Sequence, residues 1–126
     1  MANTHAQAAK IIGTGALIKS YETSGSNVAV TVSTPTTRGR ALKLLAVLVA
    51  YSTTVSKNVT VTFNAGHGAA FDALLTTIAL SSVADGVWLP DSEIIISPAG
   101  GDAIDVLAPA GGSGETASVT ILTREM

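Results

Sequence analysis

The chain has 126 residues, enough for one domain of ordinary size and too few for two with separate cores. It is 47% hydrophobic and only 13% charged, with a formal net charge of -2, so it is not a disordered chain and gains little solubility from self-repulsion. Cysteine is absent, which excludes thiol catalysis, cysteine-ligated zinc and disulfide staples together.

Residues 1–26 read as an irregular N-terminal arm ahead of a domain spanning 27–126. The first residues lack a basic segment followed by an apolar core, which predicts no secretory signal and synthesis in the cytoplasm. No apolar stretch reaches the ~20 residues of a membrane-spanning helix, so no membrane partner is expected. Ile11, Ile12, Leu17 and Ile18 flank Gly13-Thr14-Gly15 and would be wasted on a free tail; they are expected to pack on the body or on a neighbouring copy.

From there the pattern is that of strands. Val28, Val30 and Val32 alternate with small and hydroxyl residues, as do Val59, Val61 and Phe63, and again Ala117, Val119 and Ile121. Glu93–Ile96 and Ala103–Leu107 are short β-rich runs bounded by Gly and Pro. Phe71–Leu80 fits both helical and strand spacing, and its paired Thr residues favour a strand. Turn signals recur at Ser24-Gly25-Ser26, Pro35, residues 64–68, Asp85-Gly86, Pro90-Asp91, residues 98–101 and residues 109–112. The sum is an all-β fold: a jelly-roll-like antiparallel β-sandwich of about eight strands.

One segment breaks the alternation. In Ala41–Tyr51, Leu42, Leu44, Ala46, Leu48 and Ala50 take one face, while Leu45, Val47, Val49 and Tyr51 take the other. A strand of a small antiparallel sandwich usually shows water one face. This one is expected to be covered by the chain's own N-terminus or to be buried against another subunit. Charge is also uneven: residues 1–60 balance to +5 and residues 61–126 to -7, so the halves oppose each other within one copy or between copies of a homo-oligomer.

The motifs of chemistry are missing. Gly13-Thr14-Gly15 has Ile18 where a dinucleotide fingerprint needs its third Gly, and Gly111–Glu115 lacks the Lys and hydroxyl of a phosphate loop. His67 sits in a Gly-flanked turn, and no Gly-x-Ser-x-Gly elbow accompanies it, so a hydrolase built on His67 has no motif. Asp85, Asp91, Glu93, Asp102 and Asp105 do not follow the spacing of a calcium loop. Arg38, Arg40 and Lys43 form the one basic cluster, too small for a dedicated nucleic-acid binder. Asn58-Val59-Thr60 matches a glycosylation sequon but, without a secretory signal, reads as strand. No catalytic, cofactor or metal residue is assigned.

In texture the chain resembles the small capsid decoration or cement proteins of tailed bacteriophages. The resemblance is carried by Arg40–Val47, Lys57–Phe63, Gly68–Asp72, Val87–Pro90 and Gly101–Val106, set in a hydroxyl-rich, cysteine-free, weakly charged chain. It implies a non-enzymatic virion protein that binds the major capsid protein and stabilises the head shell as a homo-oligomer, with a trimer favoured. The interface expected from these readings is Ile11, Ile12, Leu17, Ile18, Arg38, Arg40, Leu45, Val47, Val49 and Tyr51. The alternative is a tail or head fibre module that binds a host receptor or glycan through the loops around His67, Trp88 and Gly111.

Overall fold

The computed structural model describes residues 18–36 and 40–126, and within them the chain is all β. Seven strands follow one another: β1 (Ile18–Ser26), β2 (Val30–Ser33), β3 (Leu42–Asn64), β4 (Ala73–Trp88), β5 (Ile95–Ile96), β6 (Ala103–Ala108) and β7 (Thr116–Glu125). All pair antiparallel in one sheet of order β1-β7-β3-β6-β2, with β4 and β5 also on β3. The sheet is nearly closed into a barrel, because the end of β1 lies against β2: a methyl on Gly25 would stand 2.7 Å from Val28 Cγ2 and 3.2 Å from Val30 Cγ2.

The layering comes from two long strands that bend. Residues 42–51 of β3 pair with β7, and residues 60–64 pair with β6, while β4 follows β3 along both halves. The sheet therefore folds into two layers, β1-β7-β3-β4 above β2-β6-β3-β4, each layer taking one half of β3 and one half of β4. The register slips between Ala50 and Val55, and Ser82 holds a left-handed φ of 54°, which marks the corner in each strand. Gly86 shows how tightly β4 doubles back. Its Cβ position would lie 2.9 Å from Leu80 Cδ2 and 3.0 Å from Ile78 Cγ2, although a straight strand would put residues 78 and 86 ~27 Å apart.

A hydrogen-bonded staple fixes the corner of β3. The Glu115 carboxylate, buried ahead of β7, accepts the Thr53 N–H at 2.6 Å and the Thr53 hydroxyl. The Ser52 hydroxyl accepts the Thr116 N–H at 2.9 Å, and the Tyr51 hydroxyl donates to the Pro109 carbonyl at 2.6 Å. The bonds from the Thr53 hydroxyl and N–H are the main cause that holds the Glu115 carboxyl below its ordinary pKa.

The core fills the space between the layers: Val47, Val49 and Tyr51 from one half of β3, Val59 and Val61 from the other, with Ile104, Val106, Val119 and Ile121. Here the segment greasy on both sides resolves. A register shift between Leu44 and Ala46 makes Leu45 a bulge, so Leu42 and Leu44 before it and Val47, Val49 and Tyr51 after it all face the core. Val47, Val49 and Tyr51, expected at a subunit interface, are thus covered by this chain's own second layer.

The proposed boundary at residue 26 also shifts. Ile18–Ser26 pairs with β7 along its whole length, so these residues belong to the body despite their hydroxyl-rich, weakly alternating sequence. Ile11, Ile12, Leu17 and Arg38 lie outside the described residues. The opposed charges of the two halves meet within one copy, through Lys43–Glu93 at 3.6 Å and Lys19–Glu125 at 4.0 Å, though such surface pairs are worth at most ~1 kcal/mol.

Two outcomes test this account. Gly86→Val forces a branched side chain between Leu80 and Ile78 and is expected to cost about 1–3 kcal/mol in urea unfolding. Because the folded pKa of Glu115 is lowered, its contribution is present above the ordinary value of 4.5 and is lost as pH falls through the folded value. The melting-temperature gap between wild type and Glu115→Gln should therefore close on acidification below about pH 4.5; a gap constant with pH would refute the staple.

Candidate functional site

The β3–β4 connection carries His67 and, after a single 3-10 turn at Ala69–Phe71, Asp72. Asp72 Oδ1 accepts the Ala65 N–H at 2.8 Å. Asp102 Oδ1 accepts the Gly66 N–H at 2.9 Å and its Oδ2 the Ser97 N–H at 3.4 Å, while Asp105 Oδ2 accepts from Asn64 Nδ2 at 2.9 Å. These carboxylates satisfy backbone and amide donors of the two loops. His67 is exposed, and its ring stands edge-on to exposed Phe71 at 6.2 Å. Among the described residues no three His, Cys, Asp or Glu side chains come together as metal ligands.

Gly66 is where these loops meet. Its Cβ position would lie 1.8 Å from the Gly100 carbonyl oxygen, a backbone atom that cannot step aside. The glycine turn around His67 is therefore explained by loop packing.

The three loops of the fibre-module alternative do not converge. His67 precedes β4 and Trp88 ends it, with Trp88 against Val47 of β3, and both lie away from the corner at Ser82. Gly111 lies instead at the corner of β3, where a methyl would stand 3.0 Å from Tyr51 Cδ2.

What the fold does assemble is an apolar outer surface at β4. In the first layer, Leu48 of β3 sits between Thr120 of β7 and Val87 of β4, and Ala50 sits between Ser118 and Asp85. Together these six line an open groove of about 380 Å³. Alternation turns their side chains away from the core, and Val87 is 56% and the neighbouring Leu89 64% exposed. Next to the groove on the same face, Ala46 and its register partner Leu122 are buried yet stand apart from the core cluster.

The edge itself is unusual. Among the described residues β4 pairs only with β3, so both of its halves present a free edge. Across its 16 residues the strand carries one charge, Asp85, and no Lys or Pro, with Leu74, Val83 and Val87 exposed. Free edges are ordinarily blunted by charge, proline or shortness because their unpaired N–H and C=O groups recruit other strands.

Of the residues expected at an interface, Arg40 is exposed. Leu45 is half-buried and lines a cavity of about 290 Å³ with Lys43, Pro90 and Glu93. Ile18 opens β1 opposite Arg124. Val87 and Leu89 were missed as surface residues. The signal available for them was the near-absence of charge from 73 to 90.

No protein-family model matches this sequence, and no curated protein matches it. In structure it is similar to the NLP core of Drosophila, described for its pentamer formation and histone binding, at 12% identity and a TM-score of 0.44, covering 86% of this chain and 97% of that one. It is also similar to a chain of the infectious bursal disease virus Gx strain (17% identity, TM-score 0.40). That match covers 86% of this chain, which spans 32% of the viral one. A third likeness is to a family 16 carbohydrate-binding module, at 7% identity and a TM-score of 0.41, covering 82% of this chain and 75% of that one. At such scores and identities nothing about this chain's activity follows from them.

The loop account has its own test. Gly66→Ala should destabilise the fold by about 1–3 kcal/mol through the clash with Gly100, measured by thermal unfolding, and an unchanged stability would contradict it.

Proposed function

We propose that the chain is a non-enzymatic structural protein of a virus particle, a decoration or cement protein that acts as a homo-oligomer and binds the major capsid protein on the head shell. The observation that carries this reading is the apolar outer surface at β4: a groove with exposed Val87 and Leu89 beside it, along a 16-residue edge with a single charge. A surface of that kind has little to gain from water and much to gain from another protein. The carboxylates of the loops are engaged with backbone and amide donors, which supports a binding rather than a catalytic role. The texture shared with phage decoration proteins supports placing that partner on a capsid.

The test is sedimentation with head shells assembled from the major capsid protein that this reading assigns as partner. Wild type should be retained, and Leu48→Asp should lower retention at least tenfold, about 1.4 kcal/mol, while the melting temperature stays close to wild type. A wild-type protein that ignores the shells would sink the reading.

A further inference from the structure

We infer that two copies of this chain associate edge to edge, the 83–88 half of β4 in one copy pairing antiparallel with the 73–81 half of β4 in the other, and the reverse. The inference deepens the structural-protein reading above and takes from it only that the β4 surface is covered by protein.

The two margins of the sheet differ. At the other side of the sandwich the end of β1 lies against β2, where a methyl on Gly25 would touch Val28 and Val30. At β4 nothing comparable occurs. Its two halves stack, as the contacts of Gly86 with Leu80 and Ile78 require, and each half has its second edge unpaired among the described residues. Two stacked edges, each ~20–30 Å long, make a patch on the order of 500 Å² per copy, or ~1,000 Å² in a pair, which reaches the size of a specific interface. One half alone would not.

Two symmetric ways of joining such edges exist. A two-fold axis normal to the layers pairs each half of β4 with itself, which brings the lone charge, Asp85, into one short ladder with its own copy. An axis parallel to the strands pairs the half that bears Asp85 with 73–81, which carries no charge. Like charges facing each other across a ladder are destabilising, so the second arrangement is selected.

That symmetry also narrows the register. Rotation about an axis parallel to the strands leaves height along them unchanged. Gly86 stacks on residues 78 to 80 within one copy, so in the pair it comes level with residues 78 to 80 of the second copy. With Gly86 opposite Ile78 of the partner subunit, Asp85 on the outer face meets Ala79 of the partner subunit and Val87 meets Thr77 of the partner subunit. All four are exposed, and these pairings are the ones a cross-link reads.

Because the chain has no cysteine, single-cysteine variants report cleanly. Asp85→Cys mixed with Ala79→Cys, and Val87→Cys mixed with Thr77→Cys, should form interchain disulfides under mild oxidation at least fivefold more readily than any of the four alone. Val83→Lys, at an exposed position, should raise the dissociation constant of the pair at least tenfold in sedimentation equilibrium without altering the fold seen by circular dichroism. Cross-linking of Asp85→Cys with itself overturns the pairing, as does a wild-type mass of one or three copies without the mixed disulfides. If the mixed disulfides form and the protein nonetheless ignores head shells, the pairing stands and the capsid reading falls. If shells retain a protein that lacks them, the reverse holds.

Discussion

The fold depends on the folding over of one long hairpin. β3 and β4 are each too long to lie in one layer of a domain this small, and both turn a corner at the same level. The corner is held from outside by Glu115 and Ser52, and from inside by a glycine that lets β4 double back against itself. Once it is made, each half of β3 finds a different neighbour and the apolar residues of both halves meet as a single core. A chain without disulfides and with few charges obtains its stability from that shared core.

The same turn decides what the surface is. By carrying β4 to the margin of both layers, it leaves a 16-residue strand with a single charge without a second neighbour among the described residues. Apart from Asp85, acidic residues of the second half serve elsewhere: Asp72 and Asp102 on the amides of the loops at the hairpin tip, Glu125 and Glu93 in ion pairs with Lys19 and Lys43. Polar chemistry is thus drawn into holding loops together, while the open margin is apolar and hydroxyl-rich. That division suits a protein whose work is contact.

Much of the architecture was legible in the residue pattern. Period-2 alternation located β2, the second half of β3 and β7, and the Gly and Pro punctuation placed the loops at 64–68, 98–101 and 109–112. Where alternation failed, the reason lies in irregular pairing. A bulge at Leu45 reverses the facing of every residue after it, so a two-sided apolar pattern became a one-sided core strand. Asp85-Gly86 read as a turn because glycine usually marks one; here it sits within β4, where only a residue without a side chain fits under Leu80. β1 escaped notice because its pairing with β7 uses backbone groups that no side-chain pattern reports.

The candidate surface divides in the same way. The sequence by itself determined the all-β class of the described residues, the absence of cysteine chemistry and a surface poor in charge, because these follow from residue types and short-range periodicity. Which apolar residues face water was decided only in three dimensions. Val47 and Leu48 are adjacent and equally hydrophobic, yet one is core and the other lines a groove, since facing is set by bulges, corners and partners remote in the chain. Periodicity counts residues along one strand; it carries no record of where a second layer will lie.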